Sequence, residues 1–327
     1  QTAGLIGALT NNGVGMAGVG RSVRVLPVRV LGKCGGFDSD IVAGMRWAAG
    51  LSTGDASVPA NPVANRARVI NLSLGGTGAC TQIYQDTVNE LTAMGVTVVA
   101  SAGNGTGHAV NSPANCAGVI GVSGLRHIGT KVGYSDLGPE VSISAPAGNC
   151  VNEGAAEPCL YPILTTSNSG LTTPAGAIYT DSMNASFGTS FSAPLVAGSV
   201  ALMLAAQASW TPSQIRTILR ATARPFPTMG ADNGSIPGPV QQCRAPSNLE
   251  QLQCYCTTRT CGAGMLDAGA AVQVAAVGVL PQITVSPASP LSGRLLTLDG
   301  ATSVVLGGRN VASYRWAIAN NGGIVPG

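Results

Sequence analysis

The chain has 327 residues with 17 Lys and Arg against 14 Asp and Glu, and its net charge of +3 falls in no basic run, which excludes a nucleic-acid partner and a basic membrane-surface helix. Charged residues are only 9 % and aromatics 4 %, while 45 glycines accompany 45 % hydrophobic residues, so closely packed elements around a sizeable core are expected and disorder is not. The longest apolar runs, residues 195–206 and 268–280, fall short of a bilayer span, so a soluble chain with no membrane partner is expected.

Taken in order, residues 10–15 (TNNGVG) read as a polar turn. Short β-branched runs then alternate with helical patterns: a strand at 23–31 (VRVLPVRVL), a helix at 39–51, a strand at 68–76 (RVINLSLGG), a helix at 81–95, and strands at 96–104 (VTVVASAGN) and 118–125. This is a βαβαβ order and hence a parallel sheet. Its near-continuous apolar strands call for helices on both faces, and in such sheets sites gather at the carboxyl ends of strands. Those ends here carry NLSLGG and SAGN. Residues 188–204 (GTSFSAPLVAGSVALML) begin polar and continue as a buried helix. In TPSQIRTILRATA, Thr211, Pro212 and Gln214 form a capping-box start. The chain divides at about residue 280: beyond it, Pro, Gly and Asn turns separate short alternating runs, the pattern of an incomplete β-sandwich segment over 281–327.

Nine cysteines favour a secreted, disulfide-bonded protein over a reduced cytosolic one. Cys254, Cys256 and Cys261 lie close enough to suggest zinc, but no Cys-x2-Cys pair occurs and the chain holds only 2 histidines, so disulfides are the better reading. Topology suggests Cys34–Cys80, Cys150–Cys159, Cys256–Cys261 and Cys243–Cys254, with Cys116 left over. The sequence opens with neither Met nor a leader, and is read as part of a longer protein.

Ser190 falls at the first turn of the apolar helix, where unpaired N–H groups and partial positive charge favour a developing oxyanion. There a serine is either a nucleophile or a helix cap. Asn104 ends a strand as an amide donor or a turn residue. Ser73, Leu74 and Gly75 present an extended edge to which a peptide could add as a strand.

Together, GTSFSAP, SAGN, NLSLGG, TNNGVGMAGV and CGAGMLDA, in this order, resemble the subtilisin-like serine proteases, and SPANC with GKCGG resembles their secreted branch in Gram-negative bacteria. The resemblance implies an α/β, three-layer fold with a mostly parallel sheet over residues 1–280. It implies a serine endopeptidase with Ser190 as nucleophile, Asn104 as oxyanion donor, and Ser73, Leu74 and Gly75 as one cleft edge. Ala100, Ser101, Ala102 and Gly103 become a wall of the P1 pocket, whose small residues suggest apolar P1 groups. The tail with SYRW resembles the opening of a polycystic-kidney-disease-type β-sandwich module.

The family orders its triad Asp, His, Ser, with the His just before a helix of small residues that residues 1–19 resemble. Both the Asp and the His are therefore expected upstream of Gln1, together with an early strand whose loss exposes a sheet edge. Neither His108 nor His127 has the helix-start setting of the family's base. Without a base the serine is a poor nucleophile, so this chain alone is expected to be inactive. No cofactor is needed for the chemistry. The 10–15 loop resembles the family's calcium loop, with Asn12 as a ligand to a structural calcium. The expected partners are protein or peptide substrates, with a monomeric, extracellular enzyme. The alternatives are an esterase, disfavoured because no Gly-x-Ser-x-Gly elbow surrounds Ser190, and a non-catalytic peptide-binding or adhesion protein on a protease scaffold.

Overall fold

The computed structural model describes residues 1–148, 162–170, 172–180, 188–232, 238–289, 293–305 and 310–316. It divides into two units, Gln1–Ala276 and Val277–Gly327. The first unit is built on four parallel strands in the order β1-β2-β3-β4: Val69–Leu72, Thr97–Ser101, Ile120–Leu125 and Val141–Pro146. After the short helix α1 (Thr2–Gly7), helices α2 (Asp38–Ala48) and α3 (Gln82–Ala93) supply Met45, Val88 and Leu91 to a core shared with Ile70, Leu72, Val98 and Ala100. Successive strand residues point to opposite faces, and helix α4 (Thr189–Ala206) packs across all four strands. Each Val or Leu so buried contributes about 1.5–3 kcal/mol.

Helix α4 is 18 residues long with a mean hydropathy of 1.6, enough by length and composition to cross a bilayer, which corrects the expectation that no segment reaches that length. Its window is nevertheless 67 % buried inside the protein. A helix apolar all round is what a core position demands.

Helix α5 (Pro212–Ala221) starts on the expected capping box: the Thr211 hydroxyl accepts the Gln214 N–H at 3.3 Å, while Gln214 Oε1 accepts the Thr211 N–H at 3.0 Å. Strand β4 carries no signal that the sequence reading recognised. The strand expected at 23–31 does not form a ladder. Pro27 has no N–H to give, and Val23, Val25, Val28 and Val30 line a cleft of about 770 Å³ together with Ile70 and Leu72. Among the described residues strand β1 pairs with β2 alone and is an open edge of the sheet.

The disulfides correct part of the expected pairing. Cys80 is joined to Cys116, with Cα atoms 5.1 Å apart, and Cys34 is a free, exposed thiol. Two hydrogen bonds explain the choice, because Asn115 Nδ2 donates to Gly78 O at 2.8 Å and Gln85 Oε1 accepts the Ala117 N–H at 2.9 Å. These carry the 115–117 turn to the start of α3. Cys243–Cys254 and Cys256–Cys261 form as expected. The sulfurs of Cys243, Cys256 and Cys261 cluster, but they are disulfide sulfurs and not thiolate ligands. Cys150 and Cys159 lie outside the described residues.

In the second unit, β5 (Val279–Leu280) pairs antiparallel with β8 (Val304–Val305), and β6 (Thr284–Ser286) with β7 (Thr297–Asp299).

Candidate active site

Gly188 caps α4 with φ 131°, a conformation that favours glycine, and turns the chain so that Thr189 and Ser190 open the helix. Asn104 comes to this corner from the loop beyond β2. The Thr189 N–H donates to Asn104 Oδ1 at 3.0 Å, and the Thr189 hydroxyl lies 3.0 Å from the same oxygen. Because a peptide N–H can only meet the oxygen end of a carboxamide, the two Nδ2 protons must face away from Thr189. Asn104 is exposed, so those protons are open to a ligand.

Ser190 is half-buried, and its hydroxyl donates to Ser73 O at 3.3 Å. Reciprocally, the Ser73 hydroxyl donates to Ser190 O at 2.7 Å and accepts from Asn71 Nδ2 at 2.9 Å. Pro194 explains the second contact. Four residues beyond Ser190, it has no N–H for that carbonyl, and Ser73 takes the place of the missing helical bond. Ser192 is separated from Ser190 by burial: it is 0 % exposed, and its hydroxyl lies 3.0 Å from Ala145 O and 3.1 Å from Pro146 O. It anchors the helix to the end of β4.

The expected cleft edge, Ser73 to Gly75, runs out of β1 to Gly76, which exchanges two backbone hydrogen bonds with Ser112 at 2.9 and 3.0 Å. Asn111 donates its N–H to Ala102 O at 2.8 Å, so residues 111–112 join the Gly75 and Gly103 edges. This joint was not foreseen from the sequence. In the expected pocket wall, Ala100 and Ala102 are both 0 % exposed and their side chains belong to the core. The strand is buried on both faces, with Ser101 at 5 %, and the chain reaches the surface at Gly103 and Asn104.

His108 uses its backbone, donating its N–H to Asp136 Oδ1 at 3.0 Å and accepting from Leu137. Burial and the adjacent Arg126 push the His127 imidazole below its ordinary range, while Asp232 opposes them. The Ser190 hydroxyl thus points at a carbonyl and not at an imidazole. Asn12 is exposed, its Oδ1 accepts the Val14 N–H at 3.1 Å, and residues 8–20 hold no carboxylate. A calcium ion takes six to eight oxygens, which here would have to include backbone carbonyls and ligands from outside the turn.

The family model described as the subtilase family matches residues 1–256. The chain belongs to the subtilase family. It is 40 % identical over 280 residues to the extracellular protease of Xanthomonas campestris pv. campestris, covering 85 % of this chain and 40 % of that protein. It is also 40 % identical over 230 residues to the extracellular basic protease of Dichelobacter nodosus, covering 68 % of this chain and 35 % of that one. Among solved structures, one titled as proteases from Pseudoalteromonas arctica is similar with a TM-score of 0.67 and 38 % identity, over 84 % of this chain and 69 % of that chain. The chain therefore spans well under half the length of the two relatives it matches. The subtilase fold accounts for the parallel sheet and for α4 buried against it.

Proposed function

We propose that this chain is the larger part of the catalytic domain of a secreted serine endopeptidase, with Ser190 as nucleophile and Asn104 as an oxyanion donor. The observation that carries the reading is the bond from Thr189 N–H to Asn104 Oδ1, which fixes an amide donor beside the residue that precedes Ser190. In the reaction the Ser190 oxygen attacks the scissile carbonyl and gives its proton to a base, and the leaving amine takes that proton back. The carbonyl oxygen gains negative charge as the tetrahedral intermediate forms. Asn104 Nδ2 and the Ser190 N–H, whose neighbours Thr189 and Phe191 already donate elsewhere, meet that charge. Water then repeats the sequence on the acyl-enzyme.

The triad Asp and His are assigned to the segment upstream of Gln1. The cleft along the open edge of β1 supports this, because one further strand entering there would complete the sheet. Export is supported by the disulfides and by the extracellular proteases among the relatives. Any structural calcium at Asn12 would draw its carboxylate from outside residues 8–20. Residues 281–327 are read as the opening of a β-sandwich module. A fluorophosphonate probe tests the assignment: Ser190 is labelled in a chain extended upstream through the Asp and His, and not in residues 1–327 alone. Strong labelling of the 327-residue chain would overturn the upstream assignment, and failure of both would overturn Ser190.

A further inference from the structure

The turn at residues 131–136 touches both halves of the site while presenting no group to a substrate. On one side, the Asp136 carboxylate accepts the N–H groups of Gly105 at 2.9 Å and His108 at 3.0 Å, and the Asp136 N–H donates to Gly103 O at 3.0 Å. The Thr106 N–H donates to Tyr134 O at 2.9 Å. Asn104 is thereby gripped at the residue before it and at the two residues after it. Glycines at 103, 105 and 107 leave that loop with little backbone preference of its own, so its order must come from outside.

On the other side, the Tyr134 hydroxyl accepts the Gly188 N–H at 2.9 Å and donates to Ala147 O at 2.6 Å. Gly188 is the cap from which Ser190 follows. The turn is braced internally by Lys131, which is 0 % exposed and whose ammonium donates to the carbonyls of Val132, Gly133 and Ser135 at 3.1, 2.9 and 2.9 Å. Ser135 Oγ accepts the Gly124 N–H at 2.9 Å and ties the whole to β3.

We propose that the 131–136 turn is a positioning device that holds the Asn104 carboxamide and the head of α4 in register, through Asp136 on one side and Tyr134 on the other. The proposal rests on the reading of Ser190 and Asn104 as the reacting centre. Oxyanion donors act because they are fixed before charge develops, and a small misplacement forfeits much of their effect. A loop rich in glycine and a helix cap contributed from elsewhere in the chain need a common reference, and this turn is bonded to both. Burial raises the Asp136 carboxyl above its ordinary range, against the opposing N–H groups of Gly105 and His108 and the nearby His108 and Lys131 charges. A carboxylate kept this dry contributes position more than stability.

The test uses the full-length protease and a short chromogenic peptide. Asp136→Asn sets an amide NH2 against one of the two N–H groups, and Tyr134→Phe removes the hydroxyl while keeping the ring. Each should lower kcat about tenfold, the scale of one hydrogen bond to a charged or strongly held group, with KM within about twofold. In an Asn104→Ala background, Asp136→Asn should cost less than about twofold further, because its effect passes through Asn104. A cost that is undiminished in that background, or a kcat unchanged in both single variants, would overturn the positioning role. If Asp136→Asn does not fold, Tyr134→Phe decides alone. An unchanged kcat for Asn104→Ala itself would instead remove the oxyanion reading on which the proposal stands.

Discussion

The N–H of Thr189 holds the Oδ1 of Asn104 at 3.0 Å, so the peptide unit just before Ser190 dictates which end of the Asn104 side chain is offered outward. If Asn104 is the proposed oxyanion donor, Asn104→Leu in the full-length protein should lower kcat about 10²–10³-fold with little change in KM, because the amide would meet charge that exists only in the transition state. Steady-state kinetics on a short peptide measure both. A raised KM with kcat intact would make Asn104 a binding residue.

Non-reducing peptide mapping should recover Cys80 joined to Cys116, and alkylation of the native chain should modify Cys34. The bridge spans 36 residues. Replacing both partners by serine should cost about 3–4 kcal/mol on a chain-entropy account, read from denaturant midpoints. Recovery of Cys34 in a disulfide with Cys80 would contradict the structure.

Lys131 gives stability a pH dependence. Burial pushes its ammonium from 10.5 down to about 7, with Asp136 opposing the shift. Between those values the unfolded chain binds more protons than the folded one, so stability rises with pH across the window and is flat with respect to this group below it. The urea midpoint of the wild-type chain should accordingly gain on that of Lys131→Met as the pH is raised from 7 to 10. Parallel midpoints would mean that the three carbonyls keep the proton in place.

Deleting everything after Leu280 from the full-length enzyme should leave kcat on a short peptide within about twofold. Short two-stranded sheets with mostly exposed residues lack the burial for independent order, and no residue of the proposed site lies beyond Asn104, Ser190 and their supports. A large loss on that substrate would place the tail within the catalytic unit.

Much of the fold was legible because its signals are local. The capping box at Thr211 and the helical and apolar runs that became α3 and β2 are written in neighbouring residues, and so is the change from polar to apolar at Ser190. The 23–31 run misled because its valines alternate as a strand does, whereas a ladder also needs a partner beside it. At Ala100 and Ala102 the sequence identifies small residues but not which neighbours close over them. The 131–136 turn was invisible because Asp136 reaches back 31 positions to Gly105, and Tyr134 reaches forward 54 to Gly188. No periodicity marks such contacts. Pro194 was legible in part. Its missing N–H could be read from the sequence, but not that Ser73 would use the carbonyl it leaves.

The Cys80–Cys116 bridge encloses α3, β2 and the Asn104 loop in one covalent ring that closes just beyond the Gly76–Ser112 contact. Within that ring β2 is secured by ladders on both sides, whereas the 112–116 turn is held by a few backbone bonds, by Asn115 and by the burial of Ala114 and Cys116 in the core. Cutting the bridge would leave the sheet standing and lower the opening free energy of this one corner. In the proposed endopeptidase, reduction would then open this corner to cleavage by neighbouring copies while the sheet beneath is still folded.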